Sequence, residues 1–124
     1  MDDRDSLTQL VIGAAIEVHR EIGPGLLESI YQKCMVRELQ LRRVEFLSKA
    51  KVPLTYKGEP LDTELEMDLY FPNRLVVELK AVETVLPIHE AQLLTYLKLS
   101  KTHVSLLVNF HVPVLKDGLK RMVL

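Results

Sequence analysis

The stretch LEMDLYFPNRLVVELKAV, which spans residues 65–82, decides the fold of this chain. Its two halves, 65–71 and 75–82, are rich in the apolar and aromatic residues of β-strands. The segment Pro72-Asn73-Arg74 between them has the composition of a short turn. The pattern therefore predicts an antiparallel hairpin whose loop is centred on Asn73.

Side-chain alternation along this hairpin separates an apolar face from a charged face. Centring the loop on Asn73 places Asp68 opposite Glu78 and Glu66 opposite Lys80. A shift of one residue would bring carboxylates into the core, so the pattern favours a single register. We expect the core-facing residues to be Met67, Leu69, Phe71, Leu75, Val77, Leu79 and Ala81, and the opposite face to carry Glu66, Asp68, Tyr70, Val76, Glu78 and Lys80.

Two helices are predicted before the hairpin. A capping-box pattern at Ser6 and apolar residues at helical spacing indicate a helix over 6–21. The segment Gly23-Pro24-Gly25 ends this helix, and a second helix is predicted over 26–42. The N-terminal part of the chain is therefore expected to supply two helices that cover a sheet.

Further strands and one more helix are predicted around the hairpin. Residues 50–56 have the pattern of a strand, which Pro53 makes either an edge strand or an irregular one. A proline suits the first turn of a helix over 87–99, and residues 104–110 form the nearly continuous apolar run of an interior strand. Residues 119–124 favour a short last strand. The predicted order is α-α-β-β-β-α-β-β, which is an α/β or α+β sheet with helices packed on it.

The composition narrows the class of protein. A chain of 124 residues with 48% hydrophobic and 27% charged residues is expected to form one globular domain over residues 1–124. The net charge of -1 excludes a protein that coats nucleic acid by bulk positive charge. Cys34 is the only cysteine, no apolar run is long enough to cross a bilayer, and residues 1–9 do not resemble a signal peptide. We therefore expect a cytoplasmic protein without membrane contact.

The charged face of the hairpin carries the candidate chemistry. Cβ atoms of directly opposed residues lie roughly 4.5–5.5 Å apart, so the carboxylates of Asp68 and Glu78 repel each other unless a positive charge lies between them. A divalent cation meets this need, since Mg²⁺ takes one or two carboxylates and leaves positions for water and phosphate oxygens. Lys80 follows on the same face and could orient a metal-bound water or stabilise charge on a phosphate. The pattern leaves an ordinary solvated sheet face open as the alternative.

Motifs outside the hairpin add to this pattern. Asp68 followed by Glu78-Leu79-Lys80 matches a D…(D/E)-x-K signature, Gln92 and Tyr96 match a Q-x-x-x-Y helix motif, and residues 25–31 match G-x-x-E-x-x-Y. In these motifs, and over almost its whole length, the chain resembles the small bacterial and archaeal GxxExxY proteins of the PD-(D/E)XK nuclease superfamily. Taken in this order and spacing, the motifs are more specific than any one of them alone.

The resemblance implies a restriction-endonuclease-like core, in which a mixed central sheet is flanked by helices and a metal site lies at one edge. It further implies that Asp68 and Glu78 bind Mg²⁺ or Mn²⁺, helped by the carbonyl of Leu79. Glu28, on the second helix, looks like the extra acidic residue that such folds bring to the same metal. Met67 precedes the first acid where the name of the superfamily has a proline, a departure that many members share.

The resemblance also implies roles for three further side chains. Lys80 would act on the nucleophilic water, while Gln92 and Tyr96, four residues apart on one helix face, would align the substrate or the hairpin. Simpler interpretations stay open for several of these positions. Glu28 could only stabilise the start of its helix, Gln92 with Tyr96 could form a helix–sheet contact, and Tyr31 is expected to pack rather than to catalyse.

The predicted function is that of a Mg²⁺- or Mn²⁺-dependent nuclease that hydrolyses phosphodiester bonds, with DNA favoured as the substrate although the residues do not separate DNA from RNA. One alternative is a catalytically weak or inactive nucleic-acid-binding or protein-interaction module with the same fold, and another is a structural or regulatory dimer. Because a core of this size has little surface for reading DNA, we expect either a homodimer or a partner that delivers the substrate.

Overall fold

The computed structural model describes residues 3–124, with side chains from Ser6 onward. Within this range the helices and strands follow in the predicted order, with one short 3₁₀ turn added before the last strand. The elements are α1 (Asp3–Ile22), α2 (Glu28–Leu41), β1 (Leu47–Tyr56), β2 (Glu59–Phe71), β3 (Leu75–Lys80), α3 (Pro87–Ser100), β4 (Val104–Asn109), the 3₁₀ turn (Leu115–Gly118) and β5 (Leu119–Val123).

The five strands form one mixed sheet in the order β1-β2-β3-β4-β5. All neighbouring strands are antiparallel except β3 and β4, which run parallel and are connected by α3. The predicted edge position of β1 and interior position of β4 are therefore confirmed. The sheet is mixed, is flanked by helices as the resemblance implies, and has β3 at its centre.

The predicted register of the hairpin is confirmed where β2 and β3 pair. The Cα partners Leu69↔Val77 and Phe71↔Leu75 place the centre of the loop at Asn73, whose φ of 64° lies in the left-handed region. Asparagine adopts this conformation more readily than most residues do. The turn chemistry and the side-chain alternation therefore agree on one register.

Some element bounds differ from the predictions. Helix α1 begins at Asp3, so Ser6 lies inside the helix and is not its cap. Strands β1 and β2 start at Leu47 and Glu59, well before the predicted positions, because the two strands pair with each other through a long hairpin. Most of the added strand length is exposed, so the hydrophobic pattern gave little sign of it.

The sheet separates two clusters of buried side chains. Helices α1 and α2 cover one face, where residues such as Val11, Tyr31 and Leu79 are fully buried. Helix α3 covers the other face, where Leu93 and Val76 lie in the second cluster. In the described part of the chain no helix is both long and apolar enough to span a membrane.

The predicted faces of β2 are wrong at Met67. This residue was expected beside Leu69 and Phe71, but it packs in the cluster under α3. The reason lies in the pairing with β1, where Ser48↔Leu69 and Ala50↔Met67 are partners and Lys49 between them has a left-handed φ of 54°. The strand changes face at this irregularity, which lies opposite Asp68.

The predicted pairing of Glu66 with Lys80 is also wrong. Glu66 pairs with Lys51 of β1, and the last Cα pair between β2 and β3 on this side is Leu69↔Val77. The two strands of the hairpin therefore separate beyond that pair, at the level of Asp68 and Glu78.

Candidate active site

The candidate site lies where β2 and β3 separate. Beyond the pair Leu69↔Val77, two carboxylates take the place of backbone partners. Glu78 Oε1 accepts a hydrogen bond from the N–H of Asp68 at 3.2 Å, and Asp68 Oδ2 accepts one from the N–H of Leu79 at 2.7 Å. Each acid is thus held by the backbone of the opposite strand, and the two side chains converge as the sequence predicted.

Burial raises the free energy needed to ionise this pair of acids. Glu78 is only 7% exposed. Burial, together with the charge of Asp68, raises the pKa of Glu78 to about 8, against the opposing effects of the Asp68 N–H and of Lys80. Burial also raises the pKa of Asp68, although the N–H of Leu79 stabilises its charged form. Two neighbouring carboxyl groups do not readily ionise at the same time, and a cation bound between them would stabilise the doubly ionised pair.

Lys80 and Glu28 complete the charged cluster. Lys80 is half-buried, and its positive charge lowers the pKa of Asp68, of Glu78 and of Glu28, so it is near enough to act electrostatically on all three acids. Glu28 is the first residue of α2, and partial burial raises its pKa while the charge of Lys80 opposes this. The helix therefore brings a third carboxyl group toward the hairpin.

Tyr96 of α3 approaches the same cluster from the other face of the sheet. Its side chain is buried, and burial followed by the charges of Glu78, Asp68 and Glu66 raises the pKa of its hydroxyl. Gln92 lies one helical turn earlier and is exposed. Tyr96 is therefore near enough for the charges of the acids to act on its hydroxyl, whereas the side chain of Gln92 is exposed to solvent.

Comparison with known proteins agrees with this geometry. A family model described as the PD-(D/E)XK nuclease superfamily matches residues 5–122. This chain belongs to the PD-(D/E)XK nuclease superfamily. No curated protein and no solved structure gave a significant match. Membership suggests nuclease activity, and nucleases of this superfamily typically use divalent metal ions to cleave nucleic acids.

The side chains of this PD-(D/E)XK site fit a hard divalent cation. The donors are oxygens, as Mg²⁺ and Mn²⁺ prefer, and the buried acid pair lacks a full counter-charge. The N–H and C=O groups of one strand residue point toward the same neighbouring strand, so the carbonyl of Leu79 faces the same gap as its N–H, which binds Asp68. Among the described residues, however, no three His, Cys, Asp or Glu side chains form a ready metal cluster. Glu28 therefore approaches the pair without completing a three-acid cage.

A glycine-rich turn and Tyr31 position Glu28 in this PD-(D/E)XK chain. The hydroxyl of Tyr31 donates to the carbonyl of Gly23 at 2.6 Å and accepts from the N–H of Leu26 at 3.3 Å. Its ring stacks on Phe110 with centroids 4.3 Å apart. Tyr31 packs, as expected, and its hydroxyl bonds to backbone rather than to a carboxylate. It fixes the turn that leads into the first residue of α2.

Gln32, which no motif in the sequence singles out, positions the site. Gln32 is buried, and its Nε2 donates to the carbonyl of Asp68 at 2.8 Å and to Ser48 Oγ at 3.0 Å. It therefore anchors the irregular part of β2 that carries the first acid. The signal available in the sequence was its position four residues after Glu28, on the same face of α2.

Asn109 holds the chain that follows Lys80. Its Oδ1 accepts from the N–H of Val82 at 3.1 Å, and its Nδ2 donates to the carbonyl of Val82 at 2.9 Å. The N–H of Phe110 also donates to the carbonyl of Lys80 at 2.9 Å. Strand β4 thus fixes the backbone on which the lysine is carried.

Proposed function

We propose that this protein is a Mg²⁺- or Mn²⁺-dependent deoxyribonuclease that hydrolyses phosphodiester bonds. The observation that supports this most is the convergence of Asp68 and Glu78 at the separated end of the hairpin, where the charge of Lys80 acts on both acids and on Glu28. A buried acid pair of this kind is destabilising unless it serves a ligand. The G-x-x-E-x-x-Y segment, whose Tyr31 positions Glu28, supports placing the chain in the GxxExxY group of the superfamily.

The metal-binding residues in this proposal are Asp68 and Glu78, with the Leu79 carbonyl as a further donor and Glu28 acting from the second helix. A bound divalent ion would polarise the phosphate and make an attacking water more acidic. The two carboxyl groups also interact with each other, and an ion that takes the place of a proton between them would bind oxygens of both.

Lys80 orients the attacking water in this proposal and stabilises the negative charge that grows on the phosphate. The water oxygen forms a bond to phosphorus, the bond from phosphorus to the leaving oxygen breaks, and the proton of the water ends on solvent or on that leaving oxygen. Tyr96 and Gln92 lie along α3, where they can bind the substrate beside the acids. Hydrolysis yields a phosphomonoester and a free hydroxyl end.

The test is cleavage of plasmid DNA, single-stranded DNA and single-stranded RNA in Mg²⁺ or Mn²⁺. Glu78→Ala and Lys80→Ala should each reduce cleavage at least about 100-fold, because they remove a metal ligand and a charge at the reacting phosphate. Glu64→Ala and Lys116→Ala are matched controls at exposed positions and should cleave normally. Cleavage that survives both site variants would come from a contaminant and would contradict the proposal, as would folded, metal-loaded protein that binds DNA without cutting it.

A further inference from the structure

The charged residues that line a groove beside the site are all cations. It lies between α2 and β1, has a volume of about 370 Å³, and carries Lys33, Arg37 and Lys49 among uncharged residues. All three cations are exposed, and within the described chain none of them is in an ion pair. A protein with a net charge of -1 thus concentrates three unpaired positive charges at one place.

The spacing of these residues along α2 suits an extended polyanion. Ser29, Lys33, Arg37 and Gln40 follow one another at intervals of four, four and three residues, so they share one face of the helix. The Cα atoms of Lys33 and Arg37 are separated by one turn, about 6 Å along the axis. Every one of these four side chains can donate a hydrogen bond. Successive phosphates of one strand laid along the helix would each meet a donor.

The groove is joined to the candidate active site through its floor. Gln32 lines the groove and donates to the carbonyl of Asp68 at 2.8 Å and to Ser48 at 3.0 Å. Lys49, on the opposite wall, has a left-handed φ and lies between Ser48 and Ala50, whose partners Leu69 and Met67 flank Asp68. Because Glu28 begins the same helix one turn before Gln32, the groove leads away from the acids.

Other charged grooves do not share these properties. The groove around Arg42, Arg43 and Arg74 includes Glu45, and Arg42 is paired with Glu38 at 2.8 Å. It also lies at the loop end of the hairpin, away from the acids. The cavity between α1 and α2 shares Lys33 and Arg37 with this groove but is also lined by three acids, and the groove near α3 and β5 is lined by three acids and one lysine. The groove between α2 and β1 is therefore the one best suited to a polyanion.

We propose that the groove between α2 and β1 binds the sugar–phosphate backbone of the DNA strand next to the phosphate that is cleaved. This inference rests on the proposed function and adds to it the path of the substrate. Because the contacts go to phosphates, they position the strand without reading its sequence.

The test measures DNA binding without cleavage. The fluorescence anisotropy of a labelled single-stranded oligonucleotide is recorded in EDTA over a series of salt concentrations. The groove variant is Lys33→Gln/Arg37→Gln/Lys49→Gln. The control variant is Lys57→Gln/Lys101→Gln/Lys116→Gln, which removes the same charge from exposed positions elsewhere. Circular dichroism and melting temperature verify that both variants are folded.

The groove variant should reduce the slope of log K against log salt by about 2, since each phosphate contact on single-stranded DNA contributes about 0.7. At 100 mM salt this corresponds to about 100-fold weaker binding, and Lys33→Arg/Lys49→Arg should bind like the wild type. Equal losses in the groove and control variants, or no loss in the groove variant, would overturn the inference.

Binding and cleavage separate the two proposals. If the wild type cleaves DNA, the groove variant should raise KM and leave kcat nearly unchanged, because it removes contacts made equally before and during the reaction. If the wild type binds DNA through the groove but does not cleave it, the nuclease proposal fails and the groove stands. If the wild type cleaves DNA and the groove variant cleaves it with an unchanged KM, the inference about the groove fails and the nuclease proposal stands.

Discussion

Replacing Glu78 with glutamine should stabilise the metal-free protein at high pH and abolish its stabilisation by metal. The side chain is nearly isosteric, so Oε1 of the amide can still accept the N–H of Asp68, and its NH₂ group can donate to the Asp68 carboxylate. The substitution therefore removes a charge without removing the contacts. If the two acids served only to stabilise the fold, Glu78→Gln would instead lower the stability of the metal-free protein at high pH.

The size of the effect follows from the raised pKa of Glu78. The folded pKa is about 8 against 4.5 for the free side chain, so the folded protein keeps a proton that the unfolded chain releases. The resulting stability is fully present below pH 4.5 and is lost as the pH rises through 8. At about 1.4 kcal/mol per pKa unit, the full loss between pH 5 and pH 9 is about 4 kcal/mol. We expect about 2–4 kcal/mol, because water entering between the strands relieves part of the repulsion.

The assay is urea unfolding in EDTA at pH 5, 7 and 9, repeated with Mn²⁺. Wild-type protein should lose stability with rising pH and regain it with the metal, whereas Glu78→Gln should change little under either treatment. Glu64→Gln, at an exposed position of β2, should follow the wild type. Parallel pH profiles for wild type and Glu78→Gln, or a lower stability of the variant at pH 9, would refute the reasoning.

Three further substitutions test the supports of the site. Gln32→Ala removes the bond to the carbonyl of Asp68 and should lower the free energy of unfolding by about 1–3 kcal/mol; urea unfolding unchanged from wild type would contradict this. Tyr31→Phe keeps the aromatic stack but loses the hydroxyl bonds, so a loss of about 1–2 kcal/mol is expected by the same method, and no loss would show that the turn is held by packing alone. Gly118→Ala would place a Cβ against the carbonyl oxygen of Asn109, closer than a Cβ can approach without a shift, and should cost about 1–3 kcal/mol, so an unchanged melting temperature would be inconsistent with this close approach.

The hairpin and its two acids could be predicted because they depend on local rules. Alternating side chains and a turn with Asn73 at its centre determine which residues lie opposite each other, and the observed partners Leu69↔Val77 agree. The face of Met67 could not be predicted in this way. It depends on the left-handed backbone of Lys49 in a neighbouring strand, and nothing in the sequence pattern of β2 indicates that contact.

The residues that position the site were harder to recognise than those that carry charge. Gln32 and Asn109 both bond to main-chain atoms of residues far along the chain, Asp68 and Val82. A sequence shows the type of each side chain but not which distant backbone group needs a partner. Tyr31 was predicted to pack rather than to catalyse, yet its hydrogen bonds to the preceding turn appear only in the folded chain.

The two acids of the hairpin also close the gap in their own sheet. The N–H groups of Asp68 and Leu79 have carboxylate oxygens as partners where a regular ladder would supply carbonyls. Anything that pulls these carboxylates away would leave two buried amides exposed to exchange with solvent. Ion binding and the pairing of the two strands at this point are therefore thermodynamically coupled, and the exchange rates of the same two amide protons report on both.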